Sequence, residues 1–207
     1  MTSDGDFGIR AMRSDELALA VEWAAAEGWN PGHHDAECFA RVDPAGFLIG
    51  ELEGKPAAVV SNVNYDEHFS FLGFYIVRPD LRGRGFGLRL WQAALAHAGS
   101  RTTGLDGVVA QQANYRKSGF VLAYRNIRFG GTVAVYRAIA ALGPPPVNLA
   151  VADDARVFPA TRQSLVQAWL GARGHAACSL VRDGELSAWG VIRPCRRGFK
   201  VGPAHRR

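Results

Sequence analysis

A glycine-rich stretch from Val77 to Leu88 contains the residues of this 207-residue chain whose types and spacing most clearly suggest chemistry. It reads Val-Arg-Pro-Asp-Leu-Arg-Gly-Arg-Gly-Phe-Gly-Leu. Glycines allow successive backbone N–H groups to turn towards one centre, and the start of a helix adds partial positive charge. Arg82 and Arg84 can add charge-assisted hydrogen bonds. The stretch therefore predicts a site for a pyrophosphate, held without a metal ion.

Two other phosphate-binding patterns fit this stretch less well. A dinucleotide fingerprint needs a third glycine at position 88, which is Leu88, and a P-loop needs Gly-Lys-Ser/Thr, which is missing. Asp106 nevertheless lies about where a ribose-binding acid would stand, so a Rossmann-type nucleotide binder remains an alternative. Glycines in a turn between strand and helix can also be purely structural.

Histidine and cysteine residues do not form a recognisable metal pattern. His33 and His34 are adjacent, so their side chains point in different directions, and no further ligands stand at metal-binding spacing. The three cysteines are widely separated and predict neither a disulfide framework nor a zinc site. We expect no metal ion.

The elements that must position the glycine-rich stretch follow from apolar periodicity and turn residues. The predicted order to residue 139 is β-α-α-β-β-β-α-β-α-β-β. The strands are Ile9–Met12, Phe47–Glu53, Pro56–Asn64, Phe69–Val77, Leu105–Val109, Val121–Arg128 and Thr132–Ile139, and the helices are Ser14–Glu27, Asp35–Arg41, Phe86–Ala98 and Gln111–Ser118. The stretch thus connects the end of a strand to the start of a helix.

A second, smaller unit is predicted after a proline-rich linker. Gly143 to Pro146 is stiff because each proline ring fixes φ, and the boundaries are therefore 1–142, 143–146 and 147–207. The second unit repeats a helix, a hairpin and a strand: Thr161–Leu170, Ala177–Val181 with Leu186–Ile192, and Phe199–Val201. With so little core, its strands should expose Leu180, Val181, Trp189, Val191 and Ile192 unless something covers them. We therefore expect it either to dock on the first unit or to self-associate through residues 147–207.

Residues 192–198 (Ile-Arg-Pro-Cys-Arg-Arg-Gly) are similar in sequence to residues 77–83, position for position. A strand and Pro203 follow them instead of a helix. We therefore expect one anion site and not two.

Composition limits the class of protein. With 48% hydrophobic and 21% charged residues, the chain predicts a soluble, cytoplasmic globular protein without a membrane span. The net charge of +5 comes from the tail beyond residue 181, where seven Arg and Lys residues face two acidic ones. No basic stripe with interleaved aromatics runs through the rest, so nucleic-acid binding is not expected.

Two motifs resemble those of the GNAT superfamily of N-acetyltransferases. The acetyl-CoA motif V-x-P-x-x-(R/Q)-x-x-G-x-(G/A) is matched by Val77, Pro79, Arg82, Gly85 and Gly87, and Y-x-x-x-G-F is matched from Tyr115 to Phe120. The resemblance covers about residues 8 to 138. The whole chain resembles bacterial YitH-like proteins, in which a GNAT domain precedes a degenerate second one. This implies an α/β (α+β) fold, with a mixed central sheet of splayed parallel strands flanked by helices and a partial second unit.

The resemblance also implies a function. The chain would be an acetyl-CoA-dependent N-acetyltransferase, in which a primary amine of a small molecule or peptide attacks the thioester directly. A GNAT-fold sensor that binds acyl-CoA or a metabolite without turnover is the alternative.

Roles for individual residues follow from the same resemblance. Tyr115 would protonate the leaving thiolate, although a tyrosine that only closes a helix in the core is the alternative. The base that deprotonates the attacking amine would be Asp106 or Glu67. The family has an Asn seven positions before this Tyr, and here Val108 stands in its place. The pantetheine arm would lie along Tyr75, Ile76 and Val77, and the pyrophosphate on Arg82, Gly83, Arg84, Gly85, Phe86, Gly87 and Leu88. The substrate that accepts the acetyl group would bind near Trp29, Asn30, His33 and His34.

Overall fold

The structure is a computed structural model that describes residues 6–132, 134 and 142–206. Its first unit contains five strands and four helices. The strands are β1 (Phe7–Ala11), β2 (Phe47–Leu52), β3 (Lys55–Asn64), β4 (Phe69–Val77) and β5 (Thr102–Leu105), and the helices are α1 (Leu17–Ala26), α2 (Asp35–Val42), α3 (Phe86–Ala98) and α4 (Gln112–Lys117). The predicted order of strands and helices is confirmed up to α4.

The five strands form one mixed sheet in the order β1-β2-β3-β4-β5. The pairs from β1 to β4 are antiparallel, whereas β4 and β5 are parallel. A doubly wound dinucleotide fold needs a mostly parallel sheet, so the Rossmann alternative is wrong. The predicted mixed α/β fold is confirmed.

Helices cover both faces of this sheet. Val59 and Val60 are consecutive in β3 and therefore point to opposite faces. Val59 packs in a core with residues of α1 and α2, and Val60 packs with Leu90 and Ala94 of α3. Burial on both sides explains why all residues from Ala57 to Val63 are buried and why apolar and polar residues do not alternate along β3.

Two predicted strands are wrong in the structure. The fifth strand lies at Thr102–Leu105 and not at Leu105–Val109, because the short sequence Thr-Thr-Gly-Leu becomes a strand only by pairing with β4. Residues 121–132 have no regular structure, and Val121 and Tyr124 are 87% and 71% exposed. The predicted strand Thr132–Ile139 falls almost entirely outside the described residues.

The second unit consists of α5 (Val147–Asp154), α6 (Gln163–Leu170) and an antiparallel sheet in the order β6-β7-β8. The strands are β6 (Ala176–Arg182), β7 (Glu185–Pro194) and β8 (Phe199–Arg206). The helix α5 was not predicted, because it begins directly after the proline run. Trp189 and Val191 are buried in a core with α5, α6 and Cys38 of α2, so docking on the first unit covers them, as one of the two predicted outcomes requires. Val181 and Ile192 remain about two-fifths exposed.

The second unit is docked on the first through the segment between α1 and α2. Arg193 of β7 forms an ion pair with Asp35 at the start of α2, with an Nε–Oδ1 distance of 2.8 Å. The Lys200 ammonium donates a hydrogen bond to the Trp29 carbonyl (2.9 Å), and Asn30 exchanges hydrogen bonds with the Arg197 backbone. Of the two predicted outcomes, docking is therefore the one observed within this chain.

None of the helices in the described parts of the chain is long and apolar enough to span a bilayer.

We predict that Arg193→Met lowers the free energy of unfolding by about 3 kcal/mol, because it leaves the Asp35 carboxylate buried without its cation. Methionine retains packing against Trp169, whose ring lies under the guanidinium. Chemical denaturation measures the effect, and the exposed Arg182→Met is the matched control. The double variant with Asp35→Asn should recover part of the loss, since the unpaired charge is then gone. Equal stability of Arg193→Met and Arg182→Met would show that the ion pair does not hold the units together.

Candidate active site

A gap opens between β4 and β5 in the middle of the sheet. The two strands pair from Phe69 with Thr102 to Leu72 with Leu105, and there β5 ends. β4 continues for five more residues without a neighbour on that side. The parallel strands therefore part, and the backbone groups of β4 beyond Leu72 face an opening.

A bulge in β4 lies at this opening. Ser61 pairs with Gly73 and Val59 pairs with Ile76, so two β4 residues oppose a single residue of β3. One of the two, Phe74, has a φ of 48°, which is rare for a residue with a side chain. Bulges redirect backbone groups and are common beside active sites. No residue pattern had predicted this bulge.

The glycine-rich stretch forms an open loop above the same opening. A turn of 3-10 helix at Pro79–Leu81 follows β4, and Gly83 and Gly85 have φ values of 77° and 86°. A Cβ at either glycine would meet no atom within 4 Å. No acceptor among the described residues takes a hydrogen bond from the backbone N–H groups of residues 83–88. We call these free donors at the start of α3 the cradle; they are the groups at which the sequence predicts an anion, and that role stays a prediction.

The two arginines of the loop differ in what they contact. Arg82 donates from Nε to the Val77 carbonyl (2.9 Å) and forms an ion pair with Glu27, just after α1. The Arg84 guanidinium lies 4.9 Å from the centre of the buried Phe86 ring and makes no ion pair in the described part of the chain. Arg82 thus fixes the loop, and Arg84 is the cation available to a ligand. Glu27 was not recognised from the sequence, because its partner is 55 residues away.

Aromatic side chains from three elements meet beside the opening. The Trp91 ring of α3 lies 5.2 Å from Tyr75 of β4, 6.0 Å from Tyr115 of α4 and 5.6 Å from Phe120. Burial raises the pKa of both the Tyr75 and the Tyr115 hydroxyl, although the Val108 backbone partly offsets this shift for Tyr115. Both phenols therefore carry their protons at neutral pH.

Gly107 determines where the Tyr115 ring lies. A Cβ at position 107 would overlap the edge of this ring. The turn after β5 can approach Tyr115 only because residue 107 has no side chain. Sequence reasoning missed Gly107, since the contact joins a turn to the following helix.

The two predicted bases occupy different places. Asp106 directly follows β5, and its carboxylate accepts a hydrogen bond from Asn126 (2.5 Å) and lies 3.8 Å from Arg128. Glu67 is exposed in the turn before β4, next to His68, whose carbonyl accepts from Thr102 at the start of β5. The structure thus places Asp106 at the same end of the parallel strands as Tyr115, and Glu67 at the opposite end.

The residues predicted to bind the acetyl-accepting substrate lie in the segment that the second unit contacts. Trp29 packs on the core between α1 and the sheet, and Asn30 binds the Arg197 backbone. The His33 backbone N–H donates to Pro194, while its side chain lines a shallow pocket with Arg196. His34 contacts Glu37 at 3.1 Å. No group of three metal-ligating side chains occurs among the described residues.

Two family models match the chain. The one described as Acetyltransferase (GNAT) family matches residues 11–120, and one described as Acetyltransferase (GNAT) domain matches residues 150–205. The first match runs from the end of β1 to just beyond α4, with the glycine-rich loop and Tyr115 inside it. The second falls on the second unit, as the predicted degenerate repeat requires.

Individual proteins are similar over most of the chain. Holothin acyltransferase of Pseudoalteromonas sp. (strain SANK 73390) is 34% identical over 196 residues, or 92% of this chain and 66% of that protein. A candidate acetyltransferase of Pyrococcus horikoshii has a similar structure, with a TM-score of 0.79, 20% identity and coverage of 97% of this chain and 71% of that one. Ard1 of Thermoplasma volcanium is similar over 57% of this chain and 84% of that one, with a TM-score of 0.52 and 17% identity. The chain spans just under two thirds of the curated relative.

We predict that Gly107→Ala displaces the Tyr115 ring and lowers the free energy of unfolding by about 1 to 3 kcal/mol, because the new methyl group overlaps it. The stacking of Trp91 on Tyr115 should change as well, which near-ultraviolet circular dichroism reports. Gly131→Ala is the matched control, since a Cβ there meets nothing within 4 Å. An unchanged spectrum in Gly107→Ala would mean that Tyr115 is positioned by other contacts.

Proposed function

The chain belongs to the GNAT acetyltransferase family, and from this premise we propose that it transfers an acetyl group from acetyl-CoA to a primary amine of a small molecule or peptide. One observation carries the proposal. The open cradle of backbone N–H groups at residues 83–88 follows β4, and the protonated Tyr115 follows β5, the two strands that part after Leu72 and Leu105. An extended ligand with an anionic end can therefore reach from the cradle to the phenol.

The residues present fit this cofactor. The unpaired N–H groups at the start of α3 would hold the pyrophosphate, with Arg84 adding charge. Backbone groups of Tyr75, Ile76 and Val77, which lack a β5 partner, would pair with the pantetheine arm. When bound, acetyl-CoA supplies the thioester that the amine attacks. A backbone N–H at the bulge would stabilise negative charge on the acetyl oxygen.

Tyr115 would act as the general acid in this proposal. Burial raises the pKa of its hydroxyl, so the group holds a proton at neutral pH and can donate it to the leaving thiolate. Gly107 and Trp91, which contact the ring from two sides, would keep the hydroxyl in place.

The attacking amine must lose a proton before it reacts. Asp106 is the base we propose, because it lies one residue from Gly107 and therefore at the same end of the gap as Tyr115. Glu67 lies at the far end of β4 and is not retained in the proposal. The acceptor would enter beside Trp29, Asn30, His33 and His34. Holothin, for which the curated relative is named, is the first acceptor to test.

We predict that Gly85→Val abolishes coenzyme A binding, because its side chain would stand where the pyrophosphate approaches the backbone. A valine at positive φ also costs about 1–2 kcal/mol of stability by itself. Gly54→Val is the matched control, since Gly54 has a similar φ of 73°, equally open surroundings and a place in the distant turn between β2 and β3. Calorimetry should show binding to the wild type and Gly54→Val only. Wild-type affinity in Gly85→Val would remove the loop from the cofactor site.

We predict that Tyr115→Phe retains coenzyme A affinity and lowers the rate of acetyl transfer about 10²- to 10⁴-fold, since it removes only the acidic hydroxyl. Steady-state kinetics with an accepted amine measures the change as a loss in kcat. Tyr124→Phe is the control, because Tyr124 is exposed. An unchanged kcat would leave Tyr115 a structural residue. A wild type that binds coenzyme A but acetylates no amine would favour the sensor function.

A further inference from the structure

The indole of Trp91 is a buried hydrogen-bond donor that no group in the described chain satisfies. The side chain is 6% exposed, and its Nε1 atom has no acceptor within hydrogen-bond distance among the described residues. A buried N–H without a partner costs about 1–3 kcal/mol. The other two buried tryptophans each have an acceptor, because Trp169 donates to the Gly202 carbonyl and Trp189 to the Asp153 carboxylate.

Trp91 stands on the path between the loop and Tyr115. It follows Phe86, the first residue of α3, by five positions, which corresponds to a distance of about 7.5 Å along the helix axis. Its ring stacks on the Tyr115 ring and meets the Tyr75 ring edge-on. The Tyr75 hydroxyl reaches back over the first turn of α3, where a Cβ on Gly87 would come within 2.6 Å of it. The indole therefore lies in the part of the gap that connects the two ends of the site.

We propose that the Trp91 Nε1–H donates a hydrogen bond to an amide carbonyl of the pantetheine arm and so positions the thioester beside Tyr115. This inference rests on the proposed function. The two amide oxygens of the arm are the carbonyl acceptors of the coenzyme that lie between its pyrophosphate and its sulfur. Tyr75 is only partly buried, so rotation of its ring would uncover the indole when the arm enters, while Gly107 keeps the Tyr115 ring in place. Trp91 is a positioning residue in this scheme and takes no part in proton transfer.

The test compares two ligands on full-length wild type and Trp91→Phe. Coenzyme A has the pantetheine arm, whereas ADP has the pyrophosphate and lacks the arm. One net hydrogen bond corresponds to a loss of coenzyme A affinity of about three- to tenfold in Trp91→Phe. ADP affinity should be unchanged, because the loop binds it. Trp23→Phe is the matched control, since Trp23 packs on the opposite face of the sheet, and it should bind both ligands as the wild type does.

Each result separates the inference from the function on which it rests. Equal weakening of ADP and coenzyme A would show that Trp91 only supports the fold, and unchanged affinity for both would show that its N–H is not used. Either outcome overturns the inference while leaving the proposed function in place. Absence of coenzyme A binding to the wild type would instead remove both.

A second measurement does not depend on the stability of Trp91→Phe. In wild type labelled with ¹⁵N at the indoles, coenzyme A should shift the Trp91 Nε1–H resonance and ADP should not. Phenylalanine variants of the other four tryptophans assign the signals. A resonance that coenzyme A leaves unmoved would overturn the proposal.

Discussion

The early end of β5 is the constraint on which the rest of the site depends. β4 has strand neighbours on both sides only as far as Leu72, and its later residues pair with β3 alone. Backbone groups inside a sheet normally satisfy one another, so a central strand with an unpaired edge must take its partners from elsewhere. The bulge at Phe74, the loop at Gly83–Leu88 and the aromatic side chains all surround that edge.

The elements beside the gap rest on two buried cores, whereas the aromatic residues at the gap are only partly buried. Val59, Val60 and Leu90 are fully buried in the two cores beneath the sheet and α3, and they fix the strand and the helix that carry the loop. Tyr75 and Tyr115, in contrast, are partly buried aromatic residues in contact with Trp91, whose indole N–H has no acceptor among the described residues. The packed cores and these aromatic side chains thus meet at the unpaired edge of β4.

The second unit matters to this site because it holds the segment between α1 and α2. Arg193, Arg197 and Lys200 contact Asp35, Asn30 and Trp29 across the boundary between the two units. Burial lowers the pKa of the Lys200 ammonium, and the nearby Arg128 and Arg193 lower it further. Glu27, at the other end of the same segment, binds Arg82 of the loop. Contacts with the second unit and with the loop therefore meet on one short stretch of chain.

The sequence alone determined the elements that depend on residues close together in the chain. Only the tertiary structure decided the features that depend on contacts between residues far apart in the chain. Strand β4, the glycine turn and helix α3 were predictable because backbone conformation and helical periodicity are local properties, and Tyr115 was found through its motif. The position of β5 was not, because Thr102–Leu105 is a strand only through its pairing with β4. The residues 121–128 were predicted as a strand from their apolar character, yet a strand needs a partner, and the structure gives them none. Gly107, Trp91 and the Asp35–Arg193 pair gain their roles from atoms that folding brings together, in the last case from 158 residues apart.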